Sequence, residues 1–169
     1  MYLIWTIINA VFVILFFALA LTFITKGKQL FQNKYGNAII VILILGIISL
    51  INARKESPKN EYFYPYTGKL QKSSIKQIRT VIEDNTLFDI SLMVRFRKNN
   101  EGELVPIYSR SHSSGFISGY RWNFDFAEIE RINEKSYSYT VFGKLDWNLF
   151  GIRLYGQSKE ITGTFTFEE

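Results

Sequence analysis

The stretch Phe88-Asp89-Ile90-Ser91-Leu92-Met93-Val94-Arg95-Phe96 decides the fold class. Phe88, Ile90, Leu92, Val94 and Phe96 alternate with Asp89, Ser91, Met93 and Arg95. Successive side chains leave a pleated backbone on opposite sides, so this period of two predicts a strand with one face in a core. The same rhythm returns downstream. Tyr120, Trp122, Phe124 and Phe126 alternate with Arg121, Asn123 and Asp125. Tyr137, Tyr139 and Val141 form a third set, and Ile161, Gly163, Phe165 and Phe167 alternate with Thr162, Thr164 and Thr166.

Turn residues punctuate these runs at Asn99-Asn100-Glu101-Gly102, at Asn133-Glu134 and at Gly151. Pro106 has no N–H to give to a ladder, so it predicts an edge or a bulge in the strand returning from Glu103 to Ser109. Ser109 to Gly115 is rich in serine and predicts a polar loop. Ser73 to Asp84 reads two ways. Ile75, Ile78, Val81 and Ile82 follow helical spacing behind a Ser73 or Ser74 cap, whereas the β-branched content favours a strand. Residues 61–169 are therefore expected to form one antiparallel β-domain, a meander arranged as a sandwich or a small curved barrel.

Toward the N-terminus the chemistry changes. Neither Met1 to Thr25 nor Tyr35 to Ala53 contains a charged side chain. A hydrocarbon core about 30 Å thick needs roughly 20 helical residues. Two spans are predicted, at about 2–25 and 37–53, with a link at 26–36 that carries Lys26, Lys28 and Lys34. Residues 54–60 then read as a linker. The expected protein is membrane-anchored and mainly β, a two-helix transmembrane hairpin followed by one antiparallel domain.

Tyr2 and Trp5 suit a bilayer interface, where rings with one polar edge are favoured. Asn9 is the one strongly polar residue inside the first run. It is expected to pair the helices together with Gly46 and Ser49, because an amide in hydrocarbon seeks a partner and glycine admits close approach. Ala18-Leu19-Ala20 resembles a cleavage site, but no Lys or Arg precedes the apolar run as in a secretory signal, so an uncleaved anchor is expected.

The net charge of +5 arises beside the membrane, since Ser57 to Glu169 holds fifteen Lys and Arg against fourteen Asp and Glu. Such basicity suits a bilayer surface and not a nucleic-acid groove. Arg54, Lys55, Lys59, Lys69 and Lys72 follow the second run, against three lysines in the link. The positive-inside rule then favours a cytoplasmic β-domain.

Composition also narrows the chemistry. With no cysteine there are no disulfides, thiolate metal sites or cysteine nucleophiles. The single histidine, His112, would need a fixed serine and an orienting Asp89 or Asp125 to act as a base, and no Gly-x-Ser-x-Gly elbow is present. Glu83, Asp84, Glu128 and Glu130 lack the spacing of a calcium loop, so no metal and no cofactor are expected. Arg95, Arg97, Arg110, His112 and Arg121, with Trp122 and Trp147, form the candidate ligand or partner surface. The expectation is a non-catalytic accessory or adaptor subunit that binds another membrane or membrane-associated protein. The alternatives are a tethered lipid- or ligand-binding barrel lined by Trp122, Phe124 and Trp147, and a hydrolase using His112 in the 109–115 loop.

Overall fold

The computed structural model describes residues 2–31, 39–44, 46–47, 60–71, 75–115, 119–149 and 152–167. The chain divides into two compact units. One comprises Met1–Glu56, Ser118–Tyr120 and Trp147–Tyr155; the other comprises Ser57–Ile117, Arg121–Asp146 and Gly156–Glu169.

The strands are β1 (Glu61–Phe63), β2 (Lys76–Asp84), β3 (Phe88–Lys98), β4 (Leu104–Gly115), β5 (Tyr120–Arg131), β6 (Ser136–Leu149) and β7 (Ile152–Thr166). Tyr120, the end of β6 from Trp147 and the start of β7 up to Tyr155 belong to the smaller unit, and the rest to the larger. They form two antiparallel sheets, ordered β1-β4-β3-β2 and β5-β6-β7. The protein is thus mainly β, as the alternation in 88–96 requires. Two antiparallel sheets stand where a sandwich or a small curved barrel was expected. The first is not a plain meander, because β1 lies beside β4 and not beside β2.

Phe88, Ile90, Leu92, Val94 and Phe96 are all essentially inaccessible and form one wall of the core. Tyr137, Tyr139, Val141 and Leu145, at every second or fourth position of β6, form part of the other. Phe96 meets Tyr137 and Phe165 across the sheets, with ring centroids 4.9 and 5.9 Å apart. Aromatic contacts of this kind add to area burial, so this end of the core depends on side-chain shape as well as volume.

Two segments depart from the sequence reading. Ser109 to Gly115 is not a loop; it is the second half of β4, paired with β3 through Leu92↔Ser111 and Ser91↔His112. Its serines are wanted for size and for acceptor oxygens. Ser109 and Ser111 are fully buried. The Trp122 indole donates to Ser111 Oγ at 2.9 Å, and Ser111 Oγ donates in turn to the Ser91 carbonyl at 2.9 Å. The Tyr64 hydroxyl bonds to the Ala127 carbonyl at 2.7 Å and lies 3.3 Å from Ser109 Oγ. Burial pushes the Tyr64 phenol up to about 12. Serine inside a strand signals a turn only when its hydroxyl bonds its own backbone; here rings from elsewhere in the fold occupy it.

The undecided segment 73–84 resolves as a strand from Lys76 onward, while Ser73 and Ser74 lie outside the described residues. Pro106 sits where a bulge was expected. Arg95 faces Tyr108 and Phe96 faces Pro106, so β4 carries one extra residue there. The turns expected at Asn99–Gly102 and Asn133–Glu134 are present, and Gly151 lies outside the described residues. Asn99 Oδ1 accepts from the backbone N–H groups of Glu101 and Glu103, and Gly102 takes φ +83°, where a side chain would be strained. Asn133 Oδ1 accepts from the N–H groups of Lys135 and Ser136. Asn60 ties β4 to β5: it takes a bond from Ser111 N–H, donates to the Trp122 carbonyl and accepts from Phe124 N–H.

In the smaller unit, α1 runs from Tyr2 to Phe31. Its segment Tyr2–Phe23 is long and apolar enough to cross a membrane, and it is the one such helix among the described residues. Leu3, Ile4, Ile7, Val11, Ile14 and Phe17 are exposed, so the helix shows apolar side chains to its surroundings. The expected second span is described only at 39–44 and 46–47, both helical. Gly46 lies directly against the Phe16 ring and leaves no room for a side chain. Ser49 lies outside the described residues.

Candidate functional site

The register of β1 to β4 places a coherent set of side chains on the sheet face opposite the core. Residues facing each other in antiparallel strands share a side, so rows can be read directly from the pairing. One row runs Arg79, Met93, Arg110, Glu61 across β2, β3, β4 and β1. The next runs Gln77, Arg95, Tyr108, Phe63, and a third holds Val81, Ser91 and His112. Arg97 lies one alternation beyond Arg95 and faces Val105.

This face is cationic, aromatic and open. Arg95 Nε donates to Gln77 Oε1 at 3.0 Å while its guanidinium lies 5.2 Å from the Tyr108 ring centroid. Tyr108 packs edge-on against Phe63 at 5.1 Å, and Phe63 is 69% exposed. Arg110 reaches Glu61 at 4.0 Å, a long and solvated contact. An exposed phenylalanine beside stacked Tyr and Arg costs solubility, and that combination is enriched where proteins bind partners.

His112 belongs to this face and not to a cleft. Arg79 Nη2 lies 3.0 Å from His112 Nε2. A guanidinium can only donate, so Nε2 must be the unprotonated nitrogen. Partial burial, and then the charges of Arg79 and Arg110, hold the imidazole below its ordinary pKa. What His112 meets is a cation, with its free electron pair already taken, and not the serine or carboxylate that a hydrolytic base requires.

The remaining candidates disperse. Arg121 lies on β5, in the other sheet, on the side opposite Trp122 by alternation. It does not join Arg95, Arg97 and Arg110. Trp122 is 2% exposed and packs over Gly143, where any side chain would strike the ring. Phe124 is 6% exposed, so both line a filled core. Trp147 is in the smaller unit. There Asn9 Nδ2 donates to the Trp5 carbonyl at 3.0 Å, and the Asn9 side chain lies against Gly119, while Gly46 meets Phe16.

Sequence reading missed Arg79, Tyr108 and Phe63. The signal was available for Arg79, because Gln77, Arg79 and Val81 alternate with Ile78 and Thr80 once β2 is read as a strand. Phe63 and Tyr108 are brought together by the β1–β4 pairing, which skips two strands and leaves no local trace.

Among the described residues no group of three or more His, Asp or Glu side chains is placed to hold a metal ion. An open polar pocket of about 440 Å³ lies beside the Asn99–Gly102 turn, lined in part by Lys98, Glu103, Arg131 and Tyr137. Arg131 and Glu103 within that lining form an ion pair at 2.6 Å. No protein-family model, curated protein or solved structure matches the chain.

Proposed function

We propose that this chain is a membrane-anchored, non-catalytic adaptor whose four-stranded sheet face binds an acidic surface on another protein at the membrane. The observation that carries this reading is the juxtaposition of Arg79, Arg95 and Arg110 with His112, Tyr108 and the exposed Phe63 on one open face. Guanidinium groups offer planar forks to carboxylates, and an aromatic pair among them supplies an apolar anchor. The near-neutral tail concentrates positive charge here without being basic as a whole, which favours a shaped partner over non-specific polyanion binding.

The anchor in this reading is α1 together with the second apolar run, a hairpin that holds the β-domain on the cytoplasmic side by the lysine tally. Two features weigh against the alternatives. Trp122 and Phe124 fill the core instead of lining a chamber, and the electron pair of His112 is engaged by Arg79.

The test is copurification of the full-length protein from its native membranes after gentle crosslinking. Wild type and Arg121→Glu should retain a stoichiometric protein partner, and the triple variant Arg79→Glu, Arg95→Glu, Arg110→Glu should lose it while remaining membrane-bound and folded. Retention of the same partner by the triple variant would refute the assignment. Loss of binding to anionic vesicles with no protein partner in wild type would transfer the face to lipid headgroups.

A further inference from the structure

The smaller unit contains more than a helix. It also includes Gly119 and Tyr120 and, from the β6–β7 hairpin, residues 147–149 and 152–155. Trp5 Nε1 donates to the Gly119 carbonyl at 3.2 Å, and the Tyr120 hydroxyl donates to the Tyr2 carbonyl at 2.8 Å. The Trp147 ring lies 5.3 Å from Tyr2, 5.9 Å from Trp5, 5.4 Å from Tyr120 and 6.3 Å from Tyr155. These are five Tyr and Trp rings in one cluster, the two residue types that favour the zone between headgroups and acyl chains.

Depth along α1 can be counted. Tyr2–Phe23 is 22 residues, or roughly 33 Å of helix, enough to fill a hydrocarbon core with little to spare. Gly119 is bonded to Trp5 and lies against Asn9, one helical turn further in. Gly119 is therefore level with helix residues that already sit roughly 5–10 Å inward of Tyr2. At the same level Ile4, Ile7 and Val11 are exposed to whatever surrounds the helix. On the hairpin itself Leu154 is 58% and Tyr155 60% exposed, so the tip shows apolar area on its outside as well as towards α1.

The arrangement also accounts for Asn9, a buried polar residue on a predominantly apolar helix. Asn9 is covered by Gly119, which takes φ +89° and has Asn9 Nδ2 within 2.6 Å of where a Cβ would stand. Asn148 N–H donates to the Gly119 carbonyl at 2.7 Å. A polar patch on a spanning helix is expensive in lipid, and protein covers this one.

We infer that the β6–β7 tip is a membrane-inserted element, with Leu154 and Tyr155 immersed at the boundary of headgroups and acyl chains beside the first turns of α1. The inference rests on the reading of α1 as a span, and it adds a third point of contact with the bilayer, made by strands. The occupant of the exposed tip surface is lipid because the tip is continuous, by two hydrogen bonds and the ring cluster, with a helix that shows apolar side chains at the same depth.

The chain has no cysteine, so single labelling sites can be introduced without other change. Full-length Leu154→Cys, Tyr155→Cys, Ile14→Cys and Val81→Cys would each carry a nitroxide in mixed phosphatidylcholine–phosphatidylglycerol vesicles. Collision rates with oxygen and with a water-soluble nickel chelate would then be measured. The Leu154 and Tyr155 labels should show at least about fivefold less nickel access than Val81, together with raised oxygen access. Nickel access at both tip sites equal to that at Val81, with Ile14 shielded, would overturn tip insertion and leave the span intact. Nickel access at Ile14 equal to Val81 would overturn the span and the inserted tip together. Having two tip positions guards against a local disturbance from either substitution.

Discussion

Leu92 and Ser111 face each other across β3 and β4, both fully buried, and they complete the same core by opposite means. β3 fills space with Phe88, Ile90, Leu92, Val94 and Phe96. Opposite them β4 has Gly115, Ser113, Ser111, Ser109 and Pro106, and around its serines it leaves space that is taken by rings arriving from elsewhere. Trp122 brings its N–H to Ser111, and Tyr64 brings its hydroxyl to the neighbourhood of Ser109. One strand contributes volume; its neighbour contributes room and acceptor oxygens. Half a strand, Ser109 to Gly115, can therefore be part of a core with no large hydrophobic residue of its own, provided that its partners supply both the bulk and the donors.

The comparison can be broken most forcefully from the β3 side. Leu92→Ala removes packed volume from a fully buried position, and should cost about 2–5 kcal/mol in urea unfolding. A loss below about 1 kcal/mol would mean that the volume of β3 is not what holds the sheets together. Ser111→Ala tests the other strand. If serine is only small filler the change is close to neutral, whereas a stranded Trp122 N–H should cost about 1–3 kcal/mol. The same substitution in a Trp122→Phe background should cost clearly less, and the double-mutant coupling measures the acceptor role directly.

Alkali probes the rings that β4 admits. Tyr64 ionises near 12 in the folded protein against 10 in the unfolded chain, so the folded state keeps a proton that the unfolded state has released. Stability must then fall as pH rises through 10, and Tyr64→Phe should flatten part of that decline in a pH series of chemical melts. The flattening is only partial, because burial raises Tyr137 and Tyr139 as well.

The smallest effect belongs to the outward side of β4. His112 is held below its ordinary 6.5, so between the two values the unfolded chain binds the proton more readily. Stability should decline gently as pH falls below 6.5, and His112→Gln should remove that slope without changing the midpoint at pH 8. An unchanged acid slope in the variant would show that burial and the charges of Arg79 and Arg110 do not lower His112 in solution.

Legibility followed locality. The strands β3, β5, β6 and β7 were visible because each carries its own alternation, and the Asn99–Gly102 and Asn133 turns because their residues bond their own backbone. Ser109 to Gly115 was misread for a physical reason. Its strand character comes from Phe88 to Val94 on one side and from Trp122 and Tyr64 across the core, none of them adjacent in sequence. For the candidate face, Arg95, Arg97, Arg110 and His112 were found from charge alone. Arg121 was grouped with them because a one-dimensional pattern does not say which sheet a strand joins. Arg79 and Phe63 entered only when pairing set β2 and β1 at the two edges.

Composition and periodicity by themselves determined a long apolar N-terminal helix, a mainly β tail and the absence of cysteine chemistry, because these depend on side chains within a few residues of one another. Only the tertiary structure decided that there are two sheets, that β1 pairs with β4, that the serines of β4 serve buried rings, and that His112 meets Arg79 on an open cationic face. Each of those rests on contacts between segments tens of residues apart, where the free energy comes from packing and hydrogen bonds that no local pattern encodes.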